Sequence, residues 1–148
     1  MEILGFEYPD DAYFLLEEDV WCRPGEDGAM TVGVTAFGIH LSGDVYMCRP
    51  KPAGTQVAQG GPVALAELSK SVVAIRSPLT GRVVEANPLL ADRPELVHRE
   101  PYGRGWLVRI APGRWHEDLA RLAHGDSLRA RATARMRAAD AGGGEDAR

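Results

Sequence analysis

Lysine is scarce in this chain. Lys51 and Lys70 stand alone against fifteen arginines, so wherever a solvated positive charge suffices the sequence uses arginine. Arginine stays protonated, whereas a lysine amine can be acylated once it loses its proton. Lys70 lies within Ser69-Lys70-Ser71, between the β-prone runs Val63–Leu68 and Val72–Ile75. That arrangement predicts a hairpin with the lysine at its tip. Two small hydroxyl residues cannot cover a long amine at such a place, so the amine is presented to solvent. A lone lysine at a turn is in most proteins a plain solvated charge, and it is the surrounding pattern that singles out Lys70 as a candidate covalent attachment site. Lys51 is the rival, but it sits between Pro50 and Pro52 in a segment too irregular for a hairpin tip. A catalytic lysine would need burial or a neighbouring cation to lower its pKa. A serine-flanked tip offers neither, so a non-catalytic protein is expected rather than an enzyme.

The remaining elements are those that would hold the hairpin. Residues 1–12 read as an irregular leader, 13–125 as the principal domain and 126–148 as a C-terminal helix with a disordered tail from Ala139 onward. Runs Tyr13–Leu16, Val20–Arg23 and Met30–Val34 alternate as strands, the last two joined by a turn over Gly25-Glu26-Asp27-Gly28. Thr35 is placed to cap a short helical turn through Leu41 that Gly43 closes. Strands are then expected over Asp44–Arg49, Arg82–Ala86 and Trp106–Ile110, with Trp106 in the core. Trp115, Leu119 and Leu122 have helical spacing, as do Leu128, Ala132 and Met136. Residues 127–148 carry a net charge of +2, which leaves −6 for the rest of the chain. A solvated basic helix is expected there, with a docking helix for an acidic partner as the alternative. His98 reads as exposed polar surface without a role.

Composition excludes several classes. A chain of 148 residues is long enough for one hydrophobic core without metals or disulfides. A net charge of −4 and a pI near 5.6 argue against nucleic-acid binding. No apolar run approaches a membrane span, and Met1-Glu2-Ile3-Leu4-Gly5 lacks the plan of a signal peptide. A cytoplasmic monomer without membrane insertion is expected. Cys22 and Cys48 each fall in a predicted strand and read as two small buried hydrophobes rather than a disulfide.

Gly54-Thr55-x-Val57-x-x-Gly60, Glu67-x-x-Lys70 and Ser77-Pro78-x-x-Gly81-x-Val83-Val84-Glu85-x-Asn87 together resemble the lipoyl and biotinyl carrier domains. Pro94-Glu95-Leu96-Val97 and Pro101-Tyr102-Gly103-x-Gly105-Trp106 narrow the resemblance to the glycine cleavage H-protein family, and Glu18-x-x-Trp21-x-Arg23 and Thr31-Val32-Gly33-Val34-Thr35 extend it upstream. The resemblance implies a mainly β fold, a barrel-sandwich hybrid of two small antiparallel sheets with short helices. It implies lipoic acid amide-linked to Lys70 as a swinging arm, with Glu67, Ser69 and Ser71 as flanking residues recognised by a lipoate-protein ligase or lipoyl synthase system. A biotin carrier would flank its lysine with methionines.

Two positions depart from the family. The residue before the tryptophan, commonly glutamate, is Val20, and the residue four after the lysine, commonly aspartate, is Ala74. Those carboxylates would meet the cationic amine of a loaded arm. Their absence, with Leu68-Ser69-Lys70-Ser71-Val72-Val73 and Met47-Cys48-Arg49-Pro50-Lys51, resembles the H-like lipoate-binding proteins of sulfur-oxidising prokaryotes. That resemblance implies an arm carrying sulfur intermediates or electrons to a heterodisulfide-reductase-like complex. The sharper reading of Cys22 and Cys48 is that one of the thiols assists sulfur transfer from the arm. The alternative is a glycine-cleavage carrier that shuttles the aminomethyl group of glycine among glycine decarboxylase, aminomethyltransferase and dihydrolipoyl dehydrogenase. An unmodified adaptor is a further alternative.

Overall fold

The computed structural model describes residues 1–146, with side chains described through Ala141. In chain order the elements are β1 (Glu2–Ile3), β2 (Phe6–Glu7), β3 (Tyr13–Leu15), β4 (Val20–Pro24), β5 (Met30–Val34), α1 (Ala36–Ser42), β6 (Met47–Pro50) and β7 (Gln56–Val57). They continue with β8 (Pro62–Glu67), β9 (Val72–Arg76), β10 (Gly81–Ala86), α2 (Leu96–Arg99), β11 (Val108–Pro112), α3 (Trp115–Asp118) and α4 (Leu128–Asp146). A six-stranded sheet of order β3-β4-β5-β11-β10-β7 faces a three-stranded sheet of order β6-β8-β9, and β1 and β2 form a separate hairpin. The pairings within all three sheets are antiparallel. This is the mainly β, barrel-sandwich architecture expected from the sequence.

The core follows from the alternation of the strands. Val20 and Cys22 on β4, Met30 and Val32 on β5, Val63 on β8, Val83 on β10 and Val108 and Ile110 on β11 all belong to one buried cluster. Trp21 points to the opposite face of β4, into a second cluster with Phe14, Phe37, Leu128 and Ala132. Its cross-strand partner is Gly33, where an added Cβ would lie 2.6 Å from the indole ring. Any side chain at position 33 would therefore displace the tryptophan.

The second cluster revises the reading of both termini. Residues 1–12 form the β1–β2 hairpin, which turns through Leu4 and Gly5 at positive φ and buries Ile3, Tyr8 and Ala12. Strands of two residues leave no alternating run for sequence reasoning to find. The helix α4 is not solvated on all sides, because Leu128, Ala132 and Met136 are buried in the same cluster, while Arg129, Arg131 and Arg137 stay exposed. It takes in Ala139–Ala141, where disorder was expected; residues 147 and 148 lie outside the described residues. No helix among the described residues is long and apolar enough to cross a membrane.

Smaller differences have local causes. The expected helix capped by Thr35 is present, with Thr35 Oγ1 accepting from Gly38 N–H at 3.0 Å and Gly43 at its C-terminus. The strand expected from Trp106 begins at Val108, because Trp106 packs half-buried against the second cluster. The strand expected from Asp44 begins at Met47. The reason lies in His98, which is not exposed: its side chain is 14% accessible. Its Nδ1 accepts the Val45 N–H at 2.9 Å, while Nε2 faces Asp44 at 3.7 Å. The histidine takes the place of a strand partner for Val45. His98→Ala leaves that amide without its acceptor, and a loss of about 1–2 kcal/mol in urea unfolding is expected.

Candidate functional site

The last ladder pair of the β8–β9 hairpin is Glu67 with Val72, and the four residues between them make the tip. Leu68 N–H donates to Ser71 O at 2.8 Å and closes the turn. Ser69, Lys70 and Ser71 are all exposed, as is Glu67 at the end of β8. Serine suits this bend because its short side chain neither shields the amine nor demands burial. Lys51 lies at the far end of β8. Its backbone N–H donates to Val63 O at 2.9 Å and prolongs the β6–β8 ladder, so its peptide is tied into extended structure rather than offered in a turn.

Beside the hairpin a groove of about 300 Å³ opens between β9, α1 and the turn before β4. Its lining is mostly aliphatic, including Val20, Val34, Ile39, Val45, Val73 and Ala74. Leu68 and Val73 belong both to this lining and to the hairpin that carries Lys70, so a flexible chain fixed to that amine starts at the groove's edge. The apolar wall and the neighbouring exposed amine fit an acyl chain that ends in a cyclic disulfide.

Charge enters the groove at three places. The departures Val20 and Ala74 both line it, as their sequence positions imply. Glu18 and Asp19 line it too, two residues and one residue from Val20, and Arg76 lines it from β9. Among the described residues neither Glu18 nor Arg76 takes part in an ion pair. Asp19 is paired with Arg135 of α4 at 2.7 Å. Burial pushes the Asp19 carboxyl up, against the downward pull of the guanidinium. The absence of carboxylates at positions 20 and 74 therefore does not leave the groove without negative charge. Strand alternation could not locate Glu18, because residues 16–18 form a 3-10 turn, not an extension of β3. Its one sequence signal was its place in Glu18-x-x-Trp21.

Cys22 and Cys48 are unbonded to each other and buried at 0% and 4% exposure. Burial, and then the charge of Asp118, pushes the Cys22 thiol up, and burial pushes Cys48 up to about 12. Both are held as thiols, which disfavours a part in sulfur exchange. Glu67 reaches the solvent face of its sheet with Met47 and Val72.

A barrel-sandwich hybrid with a solvent-presented lysine at a hairpin tip is the form of a lipoyl- or biotinyl-type carrier domain. Residues 12–134 match the family model described as glycine cleavage H-protein. The chain belongs to that family, whose members are lipoyl carriers with lipoic acid covalently attached to a lysine. Among curated relatives, glycine cleavage system H protein 2 of Aquifex aeolicus is 38% identical over 125 residues, covering 84% of this chain and 78% of that protein. The H protein of Halorhodospira halophila is 37% identical over 106 residues, covering 72% and 81%. The crystal structure of a glycine cleavage system H protein from Mycobacterium marinum superimposes with a TM-score of 0.69 at 26% identity, over 84% of this chain and 98% of that one.

Proposed function

We propose that this chain is a lipoyl carrier in which Lys70 forms the amide with lipoic acid, and that it serves glycine cleavage. The observation that carries the first part is the exposed Lys70 at a closed hairpin tip whose neighbours Leu68 and Val73 line an aliphatic groove. Lipoic acid supplies a disulfide that can be opened to a dithiol, and with it a tether that moves cargo between partner active sites without dilution into solvent. The chain's own residues present the amine, offer Glu67, Ser69 and Ser71 to the attaching ligase, and supply a dry wall; they perform no bond chemistry themselves.

The glycine-cleavage part draws on the family and on Glu18. An aminomethyl group is a cation near neutral pH, and Glu18 offers an unpaired carboxylate at the groove in place of the residues lost at 20 and 74. The partners under this reading are glycine decarboxylase, aminomethyltransferase and dihydrolipoyl dehydrogenase. A second reading, favoured by the unpaired Arg76 and by Val20 and Ala74, is a sulfur or electron carrier for a heterodisulfide-reductase-like complex.

Glycine decarboxylase and the lipoylated chain, assayed for exchange of the glycine carboxyl carbon with bicarbonate, separate the two. Exchange that rises with carrier concentration, and that falls roughly tenfold with Glu18→Gln, is the expected result. Full lipoylation without exchange would transfer the assignment to the sulfur reading.

A further inference from the structure

The segment farthest from Lys70 in sequence reaches the groove from behind. Arg135, in the third turn of α4, projects its guanidinium between the turn before β4 and helix α1. Nη2 donates to Asp19 Oδ2 at 2.7 Å, and Nε lies 3.2 Å from Oδ1 and 3.0 Å from Leu16 O. The same guanidinium sits 5.7 Å from the centre of the Phe37 ring on α1. Two faces of the groove therefore share one cation as their backing.

Asp19 is the joint between them. It stands at φ 55, in the left-handed region that favours glycine, and it ends the 3-10 turn by donating its N–H to Leu16 O at 3.2 Å. Its carbonyl accepts the Thr35 N–H at 2.9 Å, at the cap of α1. Gly38 of α1 packs so near that an added Cβ would lie 2.8 Å from Asp19 Cβ. An aspartate in the left-handed region costs backbone energy that its surroundings must offset. The bidentate pair with Arg135 is the contact suited to do so, being charge-assisted and only 14% and 24% accessible at its two side chains.

We infer that Arg135 is a positioning residue that makes α4 a latch for the groove, holding Glu18–Val20 and α1 at the spacing that seats the cargo end of the arm. This rests on the lipoyl-carrier reading of Lys70. Without Arg135 the body of the domain keeps its strands, but position 19 loses its anchor and the two faces separate. Arg131 supplies an internal comparison. It ties the same helix to Leu122 O at 3.1 Å and Arg121 O at 3.4 Å, away from Asp19.

The test uses the full-length lipoylated chain with its arm reduced, as wild type, Arg135→Ala, Arg135→Lys and Arg131→Ala. Formaldehyde and ammonia load one thiol: a C–S bond replaces S–H, a C–N bond replaces N–H, and the formaldehyde oxygen leaves with those two hydrogens as water. Intact mass follows the lifetime of the bound aminomethyl cargo, and hydrogen exchange follows the Thr35 amide. Arg135→Ala is expected to shorten the lifetime and speed Thr35 exchange, each by about tenfold, with partial recovery in Arg135→Lys. Arg131→Ala is expected to leave both near wild type. Equal cargo lifetimes in wild type and a folded Arg135→Ala, or equal losses in the two alanine variants, would overturn the latch. A wild-type chain that takes no lipoyl mass from a competent ligase would instead overturn the Lys70 assignment, and the latch with it.

Discussion

Lys70→Arg is expected to abolish lipoylation while leaving the fold unchanged. Arginine retains the positive charge, and position 70 is exposed on a turn closed by a backbone bond from Leu68 to Ser71, so nothing in the tip depends on the ammonium group. A surface change of this kind moves stability by no more than about 0.5 kcal/mol. The chemistry is lost because a guanidinium stays protonated and does not accept the acyl group. Intact-mass measurement after incubation with a lipoate-protein ligase is the check. Wild type and Lys51→Arg should gain one lipoyl mass and Lys70→Arg none. A gain that follows Lys51 instead would mean that the ligase reads the extended β6–β8 ladder rather than the hairpin tip, and the carrier geometry would have to be rebuilt around the other end of β8.

Trp21→Ala is expected to be the most damaging single change to stability, at about 3–5 kcal/mol in denaturant unfolding. The indole is fully buried, stacks flush on Gly33, and its Nε1–H is shared between Val34 O and Pro101 O, each at 3.1 Å. Truncation removes the ring from the centre of the second cluster and strips both carbonyls of their donor. The damage should also reach function, because Val34 lines the groove and Pro101 leads into Tyr102, whose hydroxyl accepts the Ala36 N–H at 2.9 Å at the start of α1. Trp21→Phe keeps most of the apolar volume and loses the N–H. It should fall well short of the alanine loss, and near-equal losses would show that the two hydrogen bonds, not the packing, dominate.

The two clusters differ in how they could be read in advance. The main core draws mostly on strands of four to six residues with alternating buried positions, such as Met30, Val32 and Val34 on β5, and its turns carry glycines at positive φ such as Gly28 and Gly60. Both are local signals, and so most of the strands, the capped helix after Thr35 and the lysine hairpin were legible with small errors at their ends. The second cluster joins residues from the first sixteen positions with Trp21, Phe37, Ala123 and the α4 residues Leu128, Ala132 and Met136; only the α4 set has a regular spacing, and that spacing does not say what the helix packs against. Its existence depends on chain ends meeting across the fold, which no window of sequence reports. His98 misled for the same reason: its partner Val45 lies 53 residues away.

The amino-acid sequence by itself determined where the amine is presented, since a short polar tip between two β-prone runs is a property of neighbouring residues. It also identified the aliphatic character of positions 20 and 74. What lines the groove with charge was settled only by tertiary structure. A 3-10 turn brings Glu18 to the edge, the register of β9 brings Arg76, and a helix more than a hundred residues away pairs with Asp19. Hairpins form from contacts a few residues apart, whereas a groove is the gap left when distant elements pack, and its shape and charge exist only once they have done so.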